Sequence, residues 1–575
     1  MAVITTAEAK CQDCYRCLRS CPLHVIRFTE GCSGTPGTIR AAVMEEMCIL
    51  DGECVRVCPQ GAKQVRNDLD TLKRWMQQGE RVHFSVAPSF PGALCEEIDA
   101  PSLPRLLRAR GSVSVQETAL GAEMVAREHL NLLKRGDLPE PQISTSCPAV
   151  VNLVEKHYPG VIDHLSPIVS PMVAHARLIK HHHPGDRVVF LGPCLAKKQE
   201  ADEHPEVDLA LTFAEIEAWL KDADARIRPD AREGFDGPRP RTARLFPLDG
   251  GLLKTAFGDA DVLAPHRLLV TGIEECIDMI RSLEAGEKVD CSFIEMMVCR
   301  GGCIAGPGAS TDEALHARRG RIIDYVNESP EDREGGAPVV GVDLSRGFDD
   351  RRPNQEVPTE EEIREILAGT GKFSPDDELN CGACGFDSCR DKAVAVYRGY
   401  ADLQMCIPYM RRKAESIFNI VVNALPSVGL IVTDLDLTIL ETNRAARDIF
   451  GAQESSLVNE HLSVLMPVDH FERVRDSRTS LRIRVTREDR GLTTEQVVSF
   501  MEEQRLLVGV LIDVTAEEQG KARQMEIRSS AVSEIEQVID KQMKVVQEIA
   551  GLLGETTAET KVQLEELIRV MEDEQ

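Results

Sequence analysis

The cysteines nearest the N-terminus have the spacing of ligands to an iron-sulfur cluster. They form the run C-x2-C-x2-C-x3-C-P, made by Cys11, Cys14, Cys17, Cys21 and Pro22. In a run of this kind the first three thiolates bind one cubane cluster, and the fourth binds a second cluster. Soft thiolate ligands suit iron-sulfur clusters, although closely spaced cysteines also bind zinc. We therefore predict 4Fe-4S binding at this end of the chain, with a zinc site as the alternative.

A second run completes the pattern with one exception. Cys48, Cys54 and Cys58 resemble the remaining ligands of bacterial two-cluster ferredoxins, but Asp51 stands where those proteins have their second cysteine. The resemblance implies one cluster held by Cys11, Cys14, Cys17 and Cys58, and a second held by Cys21, Cys48, Asp51 and Cys54. Three alternatives stay open: Cys32 takes the vacant place, the cluster loses one iron, or Asp51 is a turn residue.

Four further cysteines lie far apart in the middle of the chain, in contexts rich in proline and glycine. The segments are Thr145-Ser146-Cys147-Pro148, Gly192-Pro193-Cys194 and Cys299-Arg300-Gly301-Gly302-Cys303. No pair of these cysteines has a ferredoxin spacing. Such a set predicts one buried cluster assembled from several loops, and the residue types by themselves indicate one more iron-sulfur site.

These three segments resemble the signature motifs of the iron-only (FeFe) hydrogenases, and the resemblance extends over about residues 1–310. In that family the motifs hold the H-cluster, a cubane joined through one cysteine to a diiron unit that carries CO, cyanide and an azadithiolate bridge. The resemblance implies that the cubane is held by Cys147, Cys194, Cys299 and Cys303, with Cys303 as the bridging thiolate. It also implies that Lys197 and Ser89 lie beside cyanide ligands and that Met297 packs over the diiron unit. The alternative is a hydrogenase-like protein with the cubane and no diiron unit.

One position departs from the catalytic members of this family. They have a cysteine immediately before the first cubane ligand, which relays protons, whereas this chain has Ser146. A thiol with a pKa of about 8.5 exchanges protons readily near neutrality, while a serine hydroxyl is a poor acid and base. Ser166 matches the relay serine further out, but His129 and Leu132, near Glu128, fall where two acidic residues are expected. We therefore expect hydrogen binding with slow turnover.

A third cysteine-rich segment has the spacing C-x2-C-x4-C-x16-C, formed by Cys381, Cys384, Cys389 and Cys406. Glycines between these cysteines allow tight turns. The segment resembles the small four-cysteine iron-sulfur domain found beside redox and corrinoid proteins, so a further 4Fe-4S cluster is expected, with zinc as the alternative. The remaining thiols are interpreted as ordinary buried side chains: Cys95, Cys276 and Cys291.

The C-terminal part resembles a PAS domain followed by a helix. The PAS cues are Asn423–Pro426, the strand Gly429–Asp434 and Thr442–Ala446. We assign this domain no cofactor and interpret His461 and His470 as structural. Beyond it a heptad repeat predicts a coiled-coil homodimer, with a surface helix as the alternative. Its apolar positions are Met525, Val532, Ile539, Val546 and Leu553 in one row, and Ile535 and Ile549 in a second row that Gln542 interrupts.

The length and the net charge of the chain limit its fold class and its possible partners. A chain of 575 residues needs several cores, and we predict a multidomain protein of α/β and α+β type. The net charge of -27 argues against binding to nucleic acid or to anionic membranes. No run of about 18 apolar residues is present, and no secretory signal is recognised, so we expect a cytoplasmic protein.

The expected domains follow from these segments. They are a two-cluster ferredoxin-like domain (1–70), a two-lobed α/β H-cluster domain (75–350), a small four-cysteine 4Fe-4S domain (360–412), a PAS domain (415–516) and a signalling coiled-coil helix (517–575). Apolar runs such as Val188–Leu191 predict buried strands. The polar, Pro- and Gly-rich stretch Glu328–Pro358 predicts a linker.

This combination of domains resembles the sensory hydrogenases. The resemblance implies slow, reversible oxidation of H2 and reduction of protons at an H-cluster, with electrons passed through 4Fe-4S clusters to a PAS-helix output. No kinase, phosphatase or DNA-binding domain is recognised, so a separate signalling phosphatase or kinase is the expected partner, and ferredoxin a further redox partner. Two alternatives stay open: a metabolic, ferredoxin-linked hydrogenase, and an iron-sulfur redox sensor without the diiron unit.

Overall fold

The computed structural model describes the chain with several gaps. The described residues are 2–30, 39–94, 98, 100–224, 234–240, 242–258, 266–328, 341–354, 356–414, 427–451, 457–488, 491–502, 504–550 and 564–570. They form two compact units, residues 1–409 and residues 410–575. Every described residue that the sequence predicts as a cluster ligand lies in the first unit.

The N-terminal domain is built from two short antiparallel strand pairs, β1 with β4 and β2 with β3. Its elements are β1 (Ile4–Thr6), α1 (Arg16–Arg19), β2 (Ile26–Glu30), β3 (Ile39–Val43), α2 (Glu53–Arg56) and β4 (Lys63–Val65). Gly52 precedes α2 with a φ of 79°, and a Cβ there would lie 2.4 Å from the side chain of Pro307. Glycine is required at this position because of its positive φ and because Pro307 leaves no room for a Cβ atom. The second cysteine run is therefore pressed against the following domain.

The central domain contains two parallel sheets, with strand orders β6-β5-β8-β9 and β10-β11-β7. The strands are β5 (Val82–Val86), β6 (Ser114–Glu117), β7 (Gln142–Ile143), β8 (Arg187–Gly192), β9 (Leu209–Thr212), β10 (His266–Thr271) and β11 (Cys291–Met297). The helices are α3 (Leu69–Gln77), α4 (Phe90–Ala93), α5 (Leu103–Ala109), α6 (Ala119–Arg135), α7 (Pro148–His157), α8 (Pro171–His182), α9 (Ala196–Glu203), α10 (Phe213–Asp224), α11 (Gly251–Phe257), α12 (Ile273–Glu284) and α13 (Leu315–Glu328). All of β5 is buried, as in parallel sheets covered on both faces. The predicted α/β class is confirmed.

The loops that carry the candidate ligands leave these sheets at their carboxyl ends. Ser89 follows β5, Cys147 follows β7, Cys194 follows β8 and Cys299 follows β11. In open α/β sheets, ligands bind in the crevice outside the carboxyl ends of the strands. The two sheets therefore bring segments that are distant in the sequence to one place.

The segment after the central domain is packed, which corrects part of the predicted linker. Residues 329–340 lie outside the described ranges, but residues 341–354 follow the surface of the central domain. The Val169 N–H donates to the Leu344 carbonyl at 2.9 Å, and Ser345 forms a β-bridge with Ile168. A polar composition rich in Arg and Asp resembles a linker in sequence, yet here these side chains form ion pairs with the domain.

The four-cysteine domain contains two helices, α14 (Glu360–Gly369) and α15 (Cys389–Tyr397). It packs against the N-terminal domain, where the Phe28 N–H donates to the Tyr400 carbonyl at 3.0 Å. The rings of His24 and Phe386 stack with their centroids 5.3 Å apart. Buried side chains of both domains belong to one hydrophobic core. The third predicted cluster site is thus fixed to the ferredoxin-like domain.

The second unit contains a five-stranded antiparallel sheet with the order β13-β12-β16-β15-β14. Its elements are β12 (Val428–Thr433), β13 (Ile439–Thr442), α16 (Arg444–Phe450), α17 (Asp469–Ser477), β14 (Leu481–Arg487), β15 (Leu492–Met501) and β16 (Leu506–Asp513). Phe471 and Leu507 are fully buried in its core. This sheet with its flanking helices confirms the predicted PAS architecture, although Asn423–Pro426 lies outside the described residues.

A long helix, α18 (Thr515–Ala550), follows the PAS sheet. Met525 of the predicted heptad is 64% exposed and Ile535 is 39% exposed, so the apolar rows are open to solvent in the single chain. Leu553 lies beyond the described part of the helix, and the coiled coil stays a prediction. Among the helices that the structure describes, none has the length and apolar character needed to span a bilayer.

Candidate metal centres

A cavity of about 710 Å³, its mouth included, lies where the carboxyl ends of the two sheets face each other. Its lining comes from seven segments of the chain between residues 87 and 303. The lining residues that matter here are Ser89, Ser146, Cys147, Cys194, Lys197, Glu295, Met297 and Cys303. Cys299 lies outside this lining but interacts electrostatically with the other three cysteines. The structure therefore brings together the residues that the three motifs carry.

The four thiols of this site lie in an environment that disfavours isolated thiolates. Burial raises the pKa of Cys194 to about 11, with a further contribution from Cys147. The pKa values of Cys299 and Cys303 are raised well above the ordinary range by burial and then by the neighbouring cysteines. Iron binds thiolates, and its positive charge offsets their mutual repulsion. The donor set thus fits a cubane cluster, whose binding releases protons.

Two buried hydroxyl groups in the cavity indicate that a further polar group fits beside the cubane. The Oγ atoms of Ser89 and Ser146 are buried and have no hydrogen-bond partner among the described residues. A buried polar atom without a partner costs about 1–3 kcal/mol. Met297 supplies an apolar wall and is 7% exposed. A compact group with hydrogen-bond acceptors, such as a cyanide-bearing diiron unit, therefore fits this space.

Lys197 lies at the start of α9, with its side chain in the cavity lining. Its Nζ donates to the Glu200 Oε2 at 2.8 Å, and the Ser170 hydroxyl donates to the same oxygen at 2.8 Å. Burial opposes ionisation of Glu200, but Lys197 and Arg346 together hold its pKa below the usual value. The ammonium is thus fixed beside the thiols, where it favours the thiolate form of Cys194.

The residues at the expected proton-relay positions do not form a chain of acids. Ser166 is buried, and its hydroxyl donates to Gln142 Oε1 at 3.4 Å. Burial lowers the pKa of His129 to about 3, so its ring is neutral, and neither ring nitrogen has a partner within the described ranges. Leu132 is buried, while Glu128 pairs with Arg135 at 3.7 Å. These described side chains form no continuous chain of acidic groups, and slow proton transfer stays a prediction.

Glu295 is a cavity residue that sequence reasoning missed. It is 2% exposed, and its carboxylate accepts the N–H groups of Leu252 at 3.4 Å and Leu253 at 2.9 Å. Burial raises the pKa of this carboxyl group to about 7. The sequence did contain a signal for Glu295, which is an acidic residue inside the apolar strand Cys291–Met297. Burial of a carboxylate in such a strand is unfavourable unless the group has a partner or a function.

The N-terminal cysteines form two groups, with the memberships that the resemblance to two-cluster ferredoxins implies. Cys11, Cys14, Cys17 and Cys58 line one pocket together with the buried Lys63. The second group interacts electrostatically and consists of Cys21, Cys48, Asp51 and Cys54. Burial raises the pKa of Asp51 to about 6 and that of Cys48 to about 12. Cys32 lies outside the described residues.

The second N-terminal site lies beside the central site, and the first lies beside the four-cysteine domain. Asp51 is among the groups that raise the pKa of Cys299, after burial and the neighbouring thiols. Burial, Asp13, Asp402 and Cys384 raise the pKa of Tyr15, which stands next to Cys14. The order along the unit is therefore central site, second N-terminal site, first N-terminal site and four-cysteine site.

The four-cysteine site also forms a pocket, lined by Cys381, Cys384, Cys389 and Cys406 together with Lys372 and Lys392. Both lysines are buried, and Lys372 Nζ lies 3.5 Å from Cys406 Sγ. Cationic side chains beside thiolates suit an anionic iron-sulfur cluster.

The other residues considered from the sequence lie apart from these sites. His461 is exposed and caps a turn at Ser463, and His470 is half-buried. Cys276 is buried and its thiol donates to the Met297 carbonyl at 3.5 Å. Cys291 is half-buried, and Cys95 lies outside the described residues.

Comparison with known protein families assigns four segments of the chain. Residues 80–307 match the profile of the C-terminal domain of the large chain of iron-only hydrogenases. Residues 10–62 match a 4Fe-4S dicluster domain, and residues 377–408 match an Fe-S cluster domain. Residues 421–540 match the PAS fold.

Individual relatives are distant. Iron hydrogenase 1 of Clostridium pasteurianum is 24% identical over 369 residues, which cover 53% of this chain and 64% of the relative. The cytosolic Fe-S cluster assembly factor NAR1 of Eremothecium gossypii is 24% identical over 287 residues, or 38% of this chain and 63% of the relative. The matches thus span less than two thirds of these curated relatives. The solved structure of the FeFe-hydrogenase HydA1 from Chlamydomonas reinhardtii has 17% identity and a TM-score of 0.40, covering 50% of this chain and all of that one.

The matched segments agree with the groups of cysteines that the structure assembles. Residues 80–307 are similar to the C-terminal domain of iron-only hydrogenase large chains, and they stand in one chain with segments that match a 4Fe-4S dicluster domain, a further iron-sulfur cluster domain and the PAS fold.

Proposed function

We propose that this chain is a hydrogen-responsive iron-only hydrogenase with slow turnover, whose H-cluster reports on H2 to the PAS domain and the C-terminal helix. The observation that carries the proposal is the cavity beside Cys303. It contains the ammonium of Lys197, the apolar side chain of Met297 and the hydroxyls of Ser89 and Ser146, which have no hydrogen-bond partner in the part of the chain that the structure describes. A cubane held by the four thiolates does not by itself account for two buried hydroxyls beside an ammonium in this cavity. When bound, the diiron unit supplies reversible cleavage and formation of H2.

The residues around the cavity are suited to bind an anionic group that carries cyanide. Lys197 offers N–H donors to a buried anion, and such charge-assisted contacts are stronger than neutral ones. The Ser89 hydroxyl, 1% exposed, offers a second donor. Met297 adapts its flexible side chain to an irregular surface and keeps water out of the cavity.

Slow turnover follows from the groups that would move protons. Ser146 replaces a titratable thiol, and general acid–base groups commonly contribute about 10²–10⁴-fold to a rate. His129 is neutral and buried, and Leu132 has no proton to exchange. Glu295 is a carboxyl group with a pKa near neutrality in the cavity lining, so it is the residue best placed to support residual turnover.

The order of the cluster sites supports a route for electrons away from the cavity. Asp51 of the second N-terminal site interacts electrostatically with Cys299 of the central site. Tyr15, beside the first N-terminal site, interacts with Cys384 of the four-cysteine site, whose domain packs on the N-terminal domain. Electrons from H2 then reach the Cys381-Cys384-Cys389-Cys406 cluster, the last before the PAS domain in the sequence. Ferredoxin is a candidate redox partner, and a separate phosphatase or kinase is the proposed output partner.

The exposed apolar rows of α18 support a homodimer as the signalling form. Substitution of Ile539 in the heptad row by Lys should produce monomers in light scattering. Ile527, which is 65% exposed and lies off both rows, provides the matched control. A dimer that survives Ile539→Lys would exclude this helix as the main contact.

One observation favours a second candidate function, an iron-sulfur protein without hydrogen chemistry. The chain is similar to the NAR1 assembly factor over 38% of its length. In this case the central site would hold a cubane, and the cavity beside Cys303 would hold no diiron unit. The four side chains described above favour the hydrogenase.

Infrared spectroscopy distinguishes the two candidates. Protein with intact iron-sulfur clusters is incubated with the diiron precursor and compared with the same protein without it. The hydrogenase predicts CO and cyanide stretching bands that remain after gel filtration and that shift in Lys197→Met. The second candidate predicts no bound bands although the clusters are intact, and that result would overturn the proposal.

A further inference from the structure

The segment of residues 341–353, called the strap here, is attached along the central domain by main-chain contacts. The Val169 N–H donates to Leu344 at 2.9 Å, and the Arg346 N–H donates to the Pro167 carbonyl at 3.2 Å. The strap thus runs beside the stretch that ends at Ser170, where α8 begins. That stretch contributes the Ser170 hydroxyl to Glu200.

One buried carboxylate joins the strap to the cavity. Glu200, with a side chain 1% exposed, binds Lys197 through Oε2 at 2.8 Å and Arg346 through Oε1 at 3.0 Å. Arg346 is itself 10% exposed, and its guanidinium lies 5.0 Å from the ring centroid of Phe348. Each oxygen of Glu200 therefore serves one cation, one in the cavity wall and one in the strap.

A second anchor holds the strap to the helix behind Cys147. Arg351 binds Glu155 at 3.3 Å and Glu203 at 3.0 Å, and the Asp349 N–H donates to Glu155 Oε1 at 3.0 Å. Glu155 lies on α7, which begins directly after Cys147. Glu203 is the last residue of α9 and also lies 3.8 Å from Arg346, so this anchor reaches the far end of α9 but contacts neither Glu200 nor Lys197 in the described structure.

The strap leads directly to the four-cysteine domain. Just beyond it, the Glu356 carbonyl accepts a hydrogen bond from Arg398 Nε at 3.1 Å. The helix α14 begins at Glu360. A short stretch of chain therefore connects the ion pair at Glu200 with the third cluster domain.

We propose that Arg346 is a positioning residue for Lys197 and that the strap couples the cavity mechanically to the four-cysteine domain, in parallel with the electron route. Arg346 and Lys197 share the charge of one carboxylate through its two oxygens, so a change in the cavity that moves Lys197 or Glu200 alters the ion pair that holds the strap. Suppose that the strap has an attached and a released position. A change in the cavity shifts the balance between them only if it stabilises one position more than the other. The expected effect of Arg346 on a cyanide ligand held by Lys197 rests on the proposed function.

Hydrogen exchange measured by mass spectrometry tests the attachment in protein that carries iron-sulfur clusters and no diiron unit. Arg346→Gln should raise exchange about tenfold in residues 342–348 and in α9, because both lose the shared ion pair. Arg346→Lys keeps the charge and should restore most of the protection. Arg351→Gln is the matched control, and it should raise exchange in residues 349–353 without affecting the start of α9.

Infrared spectra of matured protein test the positioning of Lys197. Arg346→Gln should shift the cyanide bands, whereas Arg351→Gln should leave them in place. Equal exchange at the start of α9 in the two variants, or no change there in Arg346→Gln, would overturn the inference. The exchange measurement needs no diiron unit, so it tests the attachment of the strap to α9 even where wild-type protein shows no infrared bands and the proposed function fails.

Discussion

The Nζ atom of Lys372 lies 3.5 Å from the Sγ atom of Cys406, and a second buried ammonium, that of Lys392, lines the same pocket. The pocket of Cys11 and its partners contains one buried lysine, Lys63. Positive charge stabilises the reduced, more anionic state of a cluster and so raises its reduction potential. The four-cysteine cluster should therefore collect electrons from the other clusters.

Removal of either lysine should lower the potential of this cluster. In Lys372→Met the equilibrium constant for reduction should fall about tenfold, which corresponds to about 59 mV for one electron. An EPR-monitored redox titration measures the midpoint, and Lys372→Arg serves as the control because it retains the charge. An unchanged midpoint in Lys372→Met, with all clusters present, would contradict the assignment of the electron acceptor.

Asp51 provides a second prediction, on the composition of the N-terminal clusters. An oxygen ligand is harder than a thiolate and holds cluster iron less firmly. Asp51→Cys should therefore make the second cluster more resistant to chelators and change its EPR signal. Glu53→Gln, close by on α2, should do neither. If iron content and spectra stay the same in Asp51→Cys, the carboxylate is not a ligand.

Glu295 predicts a pH dependence of stability. Burial raises its pKa to about 7, so the folded protein binds this proton more tightly than the unfolded chain does. The stabilising effect of the protonated form is complete below the unfolded pKa and is lost as the pH rises through about 7, by an amount of about 3 kcal/mol. Between pH 5 and pH 8 the thermal midpoint of Glu295→Gln should rise relative to wild type. Parallel curves for the two proteins would exclude an ionising Glu295.

Features formed by residues that are close in the sequence could be predicted, whereas features formed by distant residues could be predicted only in part. The N-terminal and four-cysteine ligand groups could be predicted because neighbouring cysteines must share a metal. The central site could be predicted through motif contexts, since Cys147 and Cys303 meet through the fold and not through spacing. The ion pair of Glu200 with Arg346 could not be predicted, because many surface arginines and glutamates have the same local context. The strap was interpreted as linker for that reason.

Ser146 gives the prediction on turnover. Ser146→Cys introduces a thiol with a pKa of about 8.5 and should raise the rate of hydrogen evolution by about 10²-fold or more. Ser146→Ala should differ little from wild type, since the hydroxyl is a poor proton carrier. The rate is measured by gas chromatography with a reduced dye as electron donor. Fast turnover in wild type and no gain in Ser146→Cys would remove the chemical basis for a sensor.

The most direct measurement of the central claim is hydrogen exchange of residues 427–550 in matured protein under H2 and under argon. The account predicts that H2 alters protection in the PAS sheet and α18. It also predicts no H2 effect in protein without the diiron unit, or in Cys406→Ser, which lacks a ligand of the third cluster. An identical exchange pattern under the two gases, in protein whose infrared bands respond to H2, would contradict the proposal that this chain signals the presence of hydrogen.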